Sequence, residues 1–118
     1  MSWQPLLADE SQIQIILRVC ECRQAMLSRR DSQQTERYLL QVCQVKIERL
    51  GESIAEHIKR GRKIYKKCDA GGKLLTGKLQ ANVTLIEDLD IYVEMEIKGE
   101  NLVILAAHSH YASNRLPQ

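Results

Sequence analysis

The chain has 118 residues and a formal net charge of +2; 44% of it is apolar and 27% charged. These proportions lie close to those of an average soluble protein and exclude a disordered chain, whose sparse apolar surface could not offset the entropy of ordering. The length suits one domain covering 1–118, and its core must be aliphatic, because the chain holds no Phe, one Trp and four Tyr.

The first residues show no basic segment leading into an apolar stretch of signal-peptide length, and no apolar run elsewhere is long enough to cross a membrane. A soluble, cytoplasmic protein is expected. The four cysteines, Cys20, Cys22, Cys43 and Cys68, form no Cys-x-x-Cys pair and three of them fall in helical patterns, so they are expected as reduced thiols.

In chain order, Asp9 followed by Gln12 resembles a helix start, with the two side chains serving the free amides of the first turn. Ile13, Ile16, Leu17, Cys20 and Leu27 then recur at helical spacing, and Ile15, Val19, Cys22 and Met26 widen the stripe until the helix reads as buried on two sides. Ser28 to Ser32 interrupt the pattern, and Asp31 or Ser32 can cap a second helix with Glu36 in its first turn. That second helix is expected from about Gln33 to about Lys67, about 50 Å long at roughly 1.5 Å per residue. Along it Leu40, Cys43, Ile47, Leu50, Ile54, His57, Gly61 and Ile64 alternate spacings of three and four, the register of a helix seam. For a body this small the helix is long, so either Gly51 and Gly61 break it or its end projects.

Asp69-Ala70-Gly71-Gly72 punctuates the chain, and the period switches there from helical to alternating. Leu79, Ala81, Val83 and Leu85 form one face of a strand; Ile91, Val93, Met95 and Ile97 form one face of the next. Glu87-Asp88 makes the turn between them. Leu102 to Ala107 is continuously apolar, which suggests a strand buried on both faces or one whose outer face meets a partner. Gly99-Glu100-Asn101 suits a tight hairpin. The fold expected is therefore α+β: a helical hairpin over 9–68, a three-stranded antiparallel meander over 73–108 packed on it, and a flexible tail at 109–118.

The chemistry on offer is thin. Lys59, Arg60, Arg62, Lys63, Lys66, Lys67 and Lys73 place seven cations within fifteen residues against Asp69 alone. On a helix, Lys59, Lys63, Lys66 and Lys67 would share a face, with Arg60 and Arg62 at its flanks. Such an array fits a polyanion such as nucleic acid, or simply a solvated helix end. Tyr65 is the only aromatic residue there, so base stacking has little support. Gly71-Gly72-Lys73 lacks the strand-then-helix context of a phosphate loop. His108 and His110 would point the same way on a strand and could take a metal with His57 or Cys68, but a polar strand end is the simpler reading and no metal or cofactor is assigned. His57 on the seam reads as a polar interruption or register marker; buried against a partner, it would weaken that contact on protonation near about pH 6. Glu94, Glu96 and Tyr92 read as an exposed sheet face without the cleft that acid catalysis needs.

An interaction or assembly protein, not an enzyme, follows as the leading expectation. The seam of Leu40, Cys43, Ile47, Leu50, Ile54, His57 and Ile64 looks too extensive for so small a body to cover, so association through it, as a homodimer by default or with a protein partner, is expected. The alternative is a nucleic-acid-binding accessory protein using Lys59, Arg60, Arg62, Lys63, Lys66 and Lys67.

Overall fold

The computed structural model describes residues 6–22, 26–27, 37, 47–69, 71–86 and 89–109. Its elements are α1 (Glu10–Glu21), β1 (Met26–Leu27), α2 (Ile47–Lys59), β2 (Tyr65–Cys68), β3 (Leu74–Ile86), β4 (Leu89–Lys98) and β5 (Asn101–Ser109). The α+β class and the meander of β3, β4 and β5 agree with the sequence pattern. The sheet is wider than three strands: its order is β1-β5-β4-β3-β2, with β2 antiparallel to β3 and the two-residue β1 parallel to β5.

Helix α1 starts where the cap signal placed it. Gln12 Oε1 accepts the Asp9 amide at 2.8 Å, so one donor of the open first turn is satisfied. The helix buries Ile16, Val19 and Cys20, with Ile13, Ile15 and Leu17 partly covered at the margins. It ends at Glu21, earlier than the apolar spacing implied, and Met26 and Leu27 belong to β1.

The long second helix is corrected most. Helix α2 stops at Lys59 because Gly61 adopts φ +75°. The Gly61 amide then donates to Ile58 O at 3.0 Å and the Arg62 amide to His57 O at 3.1 Å. This pair of bonds is the Schellman closure, which satisfies the last carbonyls and turns the chain out of the helix. The heptad spacing survives to Ile64 only because that residue re-enters the core after the turn. Tyr65 to Cys68, expected as helix, are a strand instead. On the N-terminal side, the segment assigned to the helix before Ile47 lies outside the described residues, except Arg37.

The strand alternation was legible. Leu79, Ala81, Val83 and Leu85 on β3, Ile91, Val93 and Met95 on β4, and Leu102, Ile104 and Ala107 on β5 form the buried face. Ile16, Val19 and Cys20 of α1, and Leu50, Ile54 and Ala55 of α2, join the same core. The apolar run of β5 has in part a local cause. Met95 pairs with Ile104 and Glu94 with Ala106, so Leu105 is the extra residue of a bulge. A bulge reverses the alternation, which places Ile104 and Ala107 on one face although they are three residues apart.

Candidate functional site

The junction between α2 and β2 gathers most of the residues that carry chemistry. His57 lies in the last turn of α2 and is 3% exposed. Its Nε2 stands 2.8 Å from Lys63 O; a carbonyl only accepts, so Nε2 carries the proton and the ring spans the turn that Gly61 opens. Nδ1 is buried and has no hydrogen-bond partner among the described residues. Burial lowers the pKa of the ring below the ordinary histidine value; the Lys63 carbonyl and Asp90 oppose that shift, and Arg62 adds to it.

Polar links hold the junction against the sheet. Arg62 donates to Thr84 Oγ1 at 2.9 Å, and Thr84 Oγ1 donates to Asp90 Oδ1 at 2.5 Å. Ser53 Oγ lies 3.0 Å from Arg49 O and 3.2 Å from Leu85 O, which anchors the middle of α2 to β3. Ser53, Glu56, His57, Arg60, Arg62 and Thr84 line a cleft of about 20 Å³, which admits little more than a water molecule.

The basic run does not form one helical face. Lys59 and Arg60 end α2, Arg62 and exposed Lys63 lie on the turn, and Lys66 and Lys67 are neighbours on β2. Consecutive strand residues point to opposite faces. Lys66 accordingly reaches Asp9, at 3.0 Å, and Lys67 pairs with Glu94 on the face away from the helices. Lys59 stands 3.7 Å from Glu21 and Arg60 stands 2.6 Å from Glu56.

The seam is also redistributed. Leu50, Ile54, His57 and Ile64 are covered by the chain itself, Leu50 and Ile54 completely. The premise that one copy cannot cover this ridge is therefore corrected for these four residues: α1 and the inner sheet face fill the space in which a partner helix was expected. Ile47 opens α2, and Leu40 and Cys43 lie outside the described residues.

Apolar exposure is found elsewhere. Leu6 and Leu7 are 54% and 53% exposed and Leu74 is 42% exposed. The segment carrying the first two runs antiparallel to β2: Ala8 donates to Ile64 O at 2.9 Å, Lys66 donates to Leu6 O at 2.7 Å, and Leu7 faces Tyr65. In such a pairing the amide and carbonyl of Leu7 point away from β2. Leu74 pairs with Cys68 across the other side of the same strand. Sequence reasoning passed over this edge; an apolar doublet just before a helix cap was its only signal.

On the outer sheet face, Tyr92 is buried at 4% exposure, and its hydroxyl lies 2.8 Å from Gln80 Oε1 and 3.0 Å from Glu94 Oε1. Burial, with the Glu94 carboxylate beside it, raises the phenol pKa, and Tyr92 stays protonated. Burial also pushes the Cys20 thiol up to about 12, which makes it an inert core group. A groove of about 450 Å³ between α1 and α2 has Cys20 and Ala55 within it and a rim of mixed charge, Glu21, Arg49, Glu52, Glu56 and Lys59. Of the two histidines whose spacing could suit a metal, His108 is on β5 and His110 lies outside the described residues. Among the described residues no three of His, Cys, Asp and Glu gather as metal ligands, and no helix is long and apolar enough to cross a membrane. Comparison of the chain with protein-family models, with curated proteins and with solved structures finds no match.

Proposed function

We propose that this chain is a small non-enzymatic assembly protein that associates with a second copy of itself through the sheet edge at β2. The exposure of Leu6 and Leu7 on a segment paired to β2 carries the reading. An extended segment at a sheet edge is a template for pairing, and a two-fold axis lets one edge serve both copies. An axis through Leu7 brings the Asp9 end of one copy beside the Leu6 end of the other. There Lys66 is in register with Leu6 and pairs with Asp9 of its own chain, so the charges at this edge are matched before a second copy docks.

The second reading, polyanion binding by Lys59, Arg60, Arg62, Lys63, Lys66 and Lys67, has less support. Four of these six cations stand within ion-pair distance of a carboxylate, which neutralises the local field that phosphates would seek.

Light scattering against protein concentration tests the proposal. The native chain is expected to approach twice its monomer mass, and Leu6→Ser/Leu7→Glu to remain monomeric. A native chain that stays monomeric at every concentration ends this reading.

A further inference from the structure

The junction after α2 is closed twice by the same residue. His57 O accepts the Arg62 amide and His57 Nε2 donates to Lys63 O, so one histidine holds both backbone strands of the turn. The ring has almost no contact with solvent. Its second nitrogen carries a lone pair, and no acceptor among the described residues waits for a proton there. The charged and titratable groups around it are Glu56 and Arg60 on α2, Arg62 on the turn, and Asp90 on β4, which is linked to Arg62 through Thr84 on β3.

We propose that His57 is a proton-operated latch: neutral, it holds the α2–β2 junction shut, and protonated, it swings out, releasing Lys63 O and separating Arg62 from Thr84. The latch operates within one chain, whether or not a second copy docks. A proton added to Nδ1 creates a buried cation with a new donor that lacks an acceptor, beside the Arg62 guanidinium. Three effects oppose opening: the Lys63 carbonyl accepts more strongly from an imidazolium, the helix C-terminus favours a cation, and Asp90 attracts one. Burial outweighs them, because Asp90 is already engaged by Thr84 while His57 keeps only 3% of its exposure to solvent. The strain is relieved by rotating the imidazolium into solvent. That motion costs the Lys63 bond and removes the clamp on the Schellman turn, so the Gly61 and Arg62 amides open to exchange with it.

Release would be felt at the sheet edge. Ile64 follows Lys63 directly and accepts the Ala8 amide, so the turn that His57 clamps also sets the start of β2 and its pairing with the Leu6–Ala8 segment.

The test is amide hydrogen exchange on the full chain, read at Gly61 and Arg62 as protection factors between about pH 7.5 and pH 5, alongside the nuclear magnetic resonance titration of the His57 ring. Protection is expected to fall about tenfold for each pH unit below about 6.5 and to level off where the ring finishes titrating. In His57→Gln, whose Nε2 can still donate to Lys63 O but cannot take a proton, protection is expected to stay constant. A ring that titrates at or above about 6.5 overturns the latch, as does native protection that is constant with pH, or a His57→Gln chain that loses protection in parallel with the native one. If His57→Gln does not fold, coincidence of the ring titration and the loss of protection in the native chain decides the matter, and separate midpoints reject the latch.

Discussion

The ring of His57 and the carbonyl of Lys63, 2.8 Å apart, fix the point at which helix gives way to sheet. Because burial lowers the pKa of that ring, the unfolded chain takes up the proton first as pH falls. Between the unfolded value, about 6.5, and the lower folded value, the unfolded state holds more protons, so stability rises with pH. The contribution is complete above about pH 6.5 and is lost as pH falls through that value toward the folded one. Denaturant titrations should show a slope of at most about 1.4 kcal/mol per pH unit in this window, flattened in His57→Gln.

Two glycines separate backbone strain from collision. At Gly61 the φ is +75° and an added Cβ meets nothing within 4 Å, so Gly61→Ala should cost about 1 kcal/mol through conformation alone. At Gly77, with φ +77°, an added Cβ would lie 2.9 Å from Ile97 O, a backbone atom of the neighbouring strand. Gly77→Ala should therefore cost more, about 2–3 kcal/mol, as measured by chemical denaturation.

Gly51 lies inside α2 where it crosses α1, and an added Cβ would sit 3.9 Å from Cys20 O, ordinary van der Waals contact. Alanine relieves the helical entropy cost of glycine without a clash. Gly51→Ala should stabilise the chain by about 0.5–1 kcal/mol, seen as a higher denaturation midpoint with an unchanged slope.

What the sequence disclosed, and what it hid, follows from the range of the forces involved. Leu79, Ala81, Val83 and Leu85 announce their strand because alternation is local and every second side chain must face the core. The Asp9 cap is local in the same way. Lys66 and Lys67 belong to a strand whose partners are Gln80 and Leu79, far along the chain, and a Tyr-Lys-Lys-Cys segment carries no alternation to declare it. The heptad misled because Ile64 keeps helical phase across a turn that is not helical; Gly61 marked the break, and its effect depends on a left-handed φ that spacing does not encode. Leu105 shows a related case: one extra residue brings Ile104 and Ala107 to the same buried face, while half-buried Val103 and Ala106 lie on the face opposite. For the site, His57, Arg60 and Arg62 were picked out for their chemistry, but Thr84, Asp90 and Asp9, which hold this region in place, are joined to it only by the fold.

The polyanion reading predicts retention on heparin that falls steeply with salt. With Lys59, Arg60, Lys66 and Lys67 engaged by carboxylates, elution should instead shift no more in Lys63→Glu/Lys67→Glu than in Lys78→Glu/Lys98→Glu, which makes the same charge change outside the run. A much larger shift in the first variant would restore nucleic acid as the partner.

The sheet edge at β2, not the helical seam, is the surface proposed to meet a second copy. Hydrogen exchange at the Leu7 amide, compared in dilute and concentrated solution, tests this most directly, because that amide points away from β2 and has no acceptor among the described residues until another chain pairs there. Protection at Leu7 should rise with concentration while the amides of α2 stay unchanged. Concentration-dependent protection along α2, with Leu7 unaffected, would contradict it.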